Sequence, residues 1–403
     1  MLKRYSLYFF YYFLVTYFIQ AIGFNLGCYN GVWNAYDNYL LVFTEVFFVY
    51  ILSLFFYNNN ILYLIFEYFS NFFFSIYKFI VRKRKLIIRL SLLFSALFFI
   101  SGYGNYRYIG SASSSLSLVL IITIFLRTLM SILILSEFCF KKNENIRFFT
   151  LSRIDKILII LSLIMSITGV TSAIFLAVSG FVLFLYKKIN IVLFFIITPG
   201  LLLIIISFGY YIKWGENFEF LYFIEYIFDT KYLNYLVSRI SVTFYGHTFL
   251  LEESQSIFNL VEILPIQIDN FFYRINYILG NVYDYEKPLF QSINRINYIN
   301  LANFSIDNNS GVSPGIIPSF KYGFGWFFGL IFSSIYFSFV FKVLNKIGKP
   351  SFLFFLLNIL FFQSIFKAPL QTLILIDNST ITLISYLIFI SFIIRSAKIK
   401  INN

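Results

Sequence analysis

The sequence predicts an all-α integral membrane protein: a polytopic bundle of about ten transmembrane helices with one large loop that carries amphipathic helices. Three observations carry this. Hydrophobic residues make up 60% of the chain and charged residues 12%, with a mean hydropathy of +0.81, far outside the range of a soluble globular domain. Apolar runs near the roughly 20 residues needed to cross a hydrocarbon core recur along the chain. Between them, Lys and Arg collect in alternate loops, as cytoplasmic connections do.

The expected spans are 5–24, 39–57, 86–101, 116–138, 157–169, 172–186, 191–211, 322–341, 351–368 and 380–394. They divide the chain into an N-terminal transmembrane bundle (1–211), a large outer loop (212–321) and a C-terminal transmembrane bundle (322–403). Lys3 and Arg4 ahead of the first span resemble a signal peptide. Its apolar stretch is too long, however, and no small-residue cleavage site follows, so it is expected to stay attached.

Two segments resist simple counting. Residues 61–81 are apolar enough to cross, but crossing would carry Arg82, Lys83, Arg84 and Lys85 to the outside. They are read as an interfacial helix on the cytoplasmic face, with Glu67 and Lys78 towards water. The spans at 157–169 and 172–186 are short, which a thinned region of bilayer accommodates.

With this layout both termini are cytoplasmic. The inner segments hold most of the Lys and Arg, while loop 212–321 holds seven basic against eleven acidic residues and escapes the bias, as long translocated loops do. The 23% aromatic content reads as compositional bias and carries no functional meaning. Cys28 and Cys139 fall at opposite ends of the bundle and offer no disulfide. A single histidine argues against a zinc site, and the lack of a P-loop argues against nucleotide-driven transport.

Any chemistry is expected in the large loop, which is too long for a connector and holds His247. Leu233, Leu236, Val237, Ile240 and Phe244 fall at helical spacing beside a polar stripe of Asn234, Ser238, Ser241 and Tyr245. This predicts an amphipathic helix carrying Arg239. A second, carrying Arg274, should run from Asp269 or Asn270 to Gly280, with Phe271, Phe272, Ile275, Ile278 and Leu279 on one side. Guanidinium forks on such helices could grip a lipid-linked phosphate, or they could pair with nearby acids on a wet surface. Glu252 and Glu253 could serve as general bases or form a solvated helix face. Inside the spans, Arg127 is costly unless paired, with Glu45 a partner to test and Arg89 nearer the cytoplasmic side. A structural ion pair and a phosphate or proton site are equal readings of Arg127. Lys367 can snorkel to the surface.

The layout resembles the bacterial O-antigen polymerases of the Wzy type, within the wider group of O-antigen ligase-like membrane glycosyltransferases. Arg239 followed by Gly246 looks like the loop arginine and later glycine of these proteins. Residues 310–315 (Ser-Gly-Val-Ser-Pro-Gly) leading into Tyr322, Gly323, Phe324 and Gly325 look like their loop exit. The short fifth span ending at Gly169 also fits, although an arginine common at that turn is absent here.

The resemblance implies a GT-C-like fold in the bacterial inner membrane, with the large loop in the periplasm. It implies a metal-independent glycosyltransferase without cofactor, which polymerises lipid-linked oligosaccharide repeat units. The donor would be a growing glycan on undecaprenyl pyrophosphate and the acceptor one lipid-linked repeat unit. A chain-length regulator and a flippase would be further partners, and nucleic acid would not be one. Arg239, Arg274 and Arg127 are the expected pyrophosphate contacts, with Arg239 also counted as catalytic, His247 as the first choice of base and Glu252 the next. An O-antigen ligase or a lipid-linked oligosaccharide flippase remains an alternative.

Overall fold

The structure is a computed structural model, and it describes residues 2–25, 38–59, 61–101, 114–142, 150–167, 242–252, 314–346 and 387–395, with isolated residues in 176–183, 268–301 and at 384. All regular structure among these residues is helical. Three helices are long and apolar enough to cross a membrane: Tyr39–Tyr57, Tyr63–Arg82 and Ile316–Val343. The chain is therefore a membrane protein by the length and composition of its helices.

The first helix is continuous but not uniform, with α1 (Leu2–Phe13) passing through a π turn (Leu14–Phe18) into α2 (Ile19–Asn25). Such a turn inserts an extra residue and redirects the side chains it carries, here Thr16 and Tyr17. After it, α3 (Tyr39–Tyr57) contains neither Gly nor Pro and is apolar all round. Val42, Glu45, Val46, Val49, Ser53 and Tyr57 recur every three or four residues and face inward. Leu41, Phe47, Phe48, Ile51 and Phe55 face outward, an apolar surface that suits lipid better than water.

Helices α1 and α3 pack antiparallel. Ser6 Oγ lies 2.8 Å from the Tyr50 hydroxyl, Tyr5 bonds Ser53, and Phe13 meets Phe43 further along. The long helix α9 (Ile316–Lys346) completes the group. Its Phe341 ring packs edge-on to Tyr5 and its Phe337 against Phe9 and Tyr12, so it runs antiparallel to α1. It runs parallel to α3, because Trp326 bonds Glu45 at one end and Lys342 donates to the Tyr57 carbonyl at the other.

A second group packs alongside. Helix α4 (Ile61–Arg82) turns at Lys83 into α5 (Arg84–Ile100), which packs against α6 (Ser114–Lys142) and α7 (Arg153–Met165). The expected interfacial segment is thus a full helix that buries Phe66, Ser70, Tyr77 and Ile80 while Lys78 is exposed. A serine seam joins α5 to α7, with Ser162 Oγ 2.5 Å from Ser91 and 3.0 Å from Ser95. Small side chains let apolar helices approach closely, and their hydroxyls bond across the gap. Helix α7 opens on a capping box between Ser152 and Asp155, so it starts four residues before the expected span.

The expected start of the eighth span changes. The span expected at 322–341 begins at Ile316, so the boundary placed after Lys321 falls inside α9. That helix breaks at Gly325, whose φ of 77° and ψ of 177° are open essentially to glycine alone. Ile316–Phe324 forms a short segment that folds back against the main helix, so that a Cβ on Gly329 would stand 2.6 Å from the Lys321 Cα.

In the loop, α8 (Val242–Glu252) takes up the predicted amphipathic helix at its C-terminal end and runs on past it. Phe244 and Tyr245 are both buried there, so the polar stripe does not face water at Tyr245. Helix α8 packs on α3, α9 and the π turn, and its residues from Phe244 to Leu250 are all buried. In the second predicted helix, Phe272 is exposed and Asn276 is buried. The Asn276 side chain donates to the Tyr283 carbonyl at 2.6 Å and accepts from the Tyr283 N–H at 2.9 Å. The expected spans at 191–211 and 351–368 lie outside the described residues.

Candidate functional site: a buried Glu, His and Lys cluster

Glu45 sits on the inward face of α3, six residues and about 9 Å from its start. Neighbouring positions on that face are valines, so this carboxylate must find its donors on other helices. It finds three. His247 Nε2 on α8 lies 2.6 Å from Oε2. Lys321 Nζ on the folded-back start of α9 lies 2.8 Å from Oε2 and 3.1 Å from Oε1. The Trp326 indole N–H, just past the Gly325 break, bonds Oε1. His247 and Lys321 are both 0% exposed. One buried charge is thus compensated by another and by two neutral donors, the arrangement that a low-dielectric interior demands.

The other face of the imidazole meets the first helix. Tyr17, on the π turn, places its hydroxyl 3.2 Å from His247 Nδ1. Both ring nitrogens are therefore engaged and the ring is fixed in orientation. Burial pushes the imidazole below the usual histidine range, against the opposing pull of Glu45.

Gly246 explains how α8 comes so close. A Cβ there would lie 2.9 Å from Asn297 Oδ1 and 3.3 Å from the Pro314 Cα. A methyl at this position, next to His247 in sequence, would crowd the Asn297 side chain and the Pro314 backbone. Asn297 in turn accepts from the Tyr322 hydroxyl at 3.2 Å, which ties the loop to the residue after Lys321.

Of the residues singled out from sequence, His247 lies at the centre of this cluster. Arg127 does not. Its guanidinium donates to the Ser166 carbonyl at 3.3 Å in the α5, α6 and α7 group, and Glu45 pairs with His247 and Lys321 in its place. The proposed pairing of Arg127 with Glu45 is corrected accordingly. Arg239, Arg274 and the Glu252 side chain lie outside the described residues. Among the described residues, no three His, Cys, Asp or Glu side chains gather as a metal would need.

Lys321, Trp326 and Tyr17 escaped sequence reasoning. In sequence Lys321 falls at the end of the loop, because the apolar run begins one residue later. The signal that could have found it is chemical: Glu45 and Lys321 are each isolated in apolar surroundings, and charges so placed pair with one another. Comparisons with protein-family models, with curated proteins and with solved structures gave no match.

Proposed function

We propose that the protein is a metal-independent membrane glycosyltransferase that polymerises undecaprenyl-pyrophosphate-linked oligosaccharide repeat units on the outer face of the bacterial inner membrane. The observation that carries this reading is the seat of His247. A loop histidine held between a carboxylate and a hydroxyl is oriented as a general base for a sugar hydroxyl must be. The pyrophosphate of the donor is a good leaving group, so fixed cations suffice to stabilise its departure. Arg239 and Arg274 are assigned that task; Arg127, which donates to the Ser166 carbonyl in the α5, α6 and α7 group, is not.

The proposed topology has about ten spans with cytoplasmic termini and a periplasmic loop that runs from 212 to the start of α9 at Ile316. The helix directions support it. The second and eighth expected spans should run the same way and the first opposite to both, which is the sense of α3, α9 and α1.

A second reading has one observation in its favour. Paired charges between membrane helices also serve as proton sites in carriers, so a flippase would use Glu45, His247 and Lys321 too. Removing the gene separates the two. Loss of a polymerase leaves lipid A-core capped by a single repeat unit, whereas loss of a flippase or a ligase leaves the core uncapped. A full ladder of long chains after gene removal contradicts the proposal.

A further inference from the structure

The cluster around Glu45 has a defined proton inventory. A carboxylate that accepts from an ammonium and an indole N–H is ionised, and the His247 Nε2 at 2.6 Å must then carry the hydrogen between them. Nδ1 keeps the lone pair or gains a second proton. The charges of Glu45 and Lys321 already cancel, so a further positive charge among fully buried groups is disfavoured at rest. Nδ1 therefore accepts, and the Tyr17 hydroxyl at 3.2 Å donates to it.

This leaves one place where a proton can enter. Nε2 is occupied and Lys321 and Trp326 are committed to Glu45, whereas Nδ1 is reached only through the Tyr17 oxygen among the described contacts. The π turn is what turns Tyr17 towards the ring, and such turns recur at functional sites.

We infer that His247 receives the proton of the acceptor hydroxyl through Tyr17, while Glu45, Lys321 and Trp326 act as positioning residues that hold the imidazole in its Nε2–H form. This deepens the glycosyl-transfer reading and rests on it. The acceptor oxygen bonds the anomeric carbon of the donor as the bond from that carbon to the pyrophosphate oxygen breaks. The electron pair leaves with undecaprenyl pyrophosphate. The acceptor O–H proton passes to the Tyr17 oxygen while the phenolic proton passes to Nδ1, and the imidazolium is stabilised by the Glu45 carboxylate. After product release the proton returns to water by the same hydroxyl. Tyr17 and His247 are fully buried, so acceptor access to Tyr17 requires the site to open.

The chain has one histidine, which makes the test direct. Full-length protein labelled with 15N-histidine, in detergent micelles, should show a single ring with Nε2 protonated and Nδ1 unprotonated. An Nδ1–H ring in the unmodified protein overturns the inference. Glu45→Gln removes the anionic acceptor, and an Nδ1–H population should appear. An unchanged ring spectrum in that variant overturns the positioning role. Tyr17→Phe should shift the Nδ1 resonance, leave Nε2–H in place and slow chain elongation on the order of a hundredfold. Elongation at the unmodified rate overturns the relay. Failure of the glycosyl-transfer reading is seen separately, as a full ladder after gene removal, whatever the ring spectrum shows.

Discussion

Lys321 meets Glu45 across 276 positions of sequence, its Nζ 2.8 Å from Oε2 and 3.1 Å from Oε1. The pair fastens the short folded-back segment of α9 to the N-terminal third of α3. Removing one partner of such a buried pair leaves the other charge uncompensated, at a cost of about 3–5 kcal/mol. Glu45→Gln and Lys321→Met should each lower thermal stability in detergent markedly. The double variant should recover much of the loss, because neither charge is then left alone. Additive losses in a double-mutant cycle would show that the two do not interact.

The break at Gly325 and the close approach at Gly329 set where Lys321 lies. Gly325→Ala forces a side chain into backbone angles that cost about 1–3 kcal/mol. Gly329→Ala places a methyl 2.6 Å from the Lys321 Cα, where backbone must give way. Both variants should unfold at lower temperature. Gly180→Ala is the control: its Cβ meets Ile160 Cδ1 at an ordinary 3.6 Å and should be tolerated. Equal stability for all three would refute the packing described for α9.

The helical, membrane-crossing character of the described segments is legible in the sequence, and the reason is physical. A helix in lipid must be long and apolar, so α3 was placed at 39–57 with the limits it has, and α5 at 86–101 within two residues. The limits of α9 were less legible. Hydropathy marks the apolar run but not Lys321, because a buried lysine with a carboxylate partner looks like loop until the partner is seen. The same blindness hid Tyr17 among the aromatic residues of the first helix. His247 was found because it is unique in the chain, not because its partners were foreseen. Glu45 reads in sequence as a costly charge with Arg127 a possible partner, but only packing decides which cation comes near it, and that cation is Lys321.

The orientation of the loop can be read with reporter fusions. A fusion at residue 260 should report the outer compartment, and fusions within 141–156 the cytoplasm. A cytoplasmic signal at 260 contradicts the topology. Fusion at Arg84 decides between an interfacial α4 and a crossing one, since an outer signal there makes α4 a span.

Arg239 should depend on geometry as well as charge. Lysine keeps the charge but loses the planar fork that binds two phosphate oxygens at once. Arg239→Lys should therefore strongly impair polymerisation with the protein accumulating normally, and Arg239→Ala should be worse. A full ladder from Arg239→Ala at normal levels would remove this residue from the site.

On the proposed reading His247, oriented by Glu45, is the base of glycosyl transfer. Purified protein should be given lipid-linked repeat units alone and the products separated by length. The unmodified protein should extend them into a ladder, and His247→Gln, accumulating and eluting normally, should give essentially none. A ladder of unmodified length from His247→Gln, or no extension by the intact protein, would contradict the account.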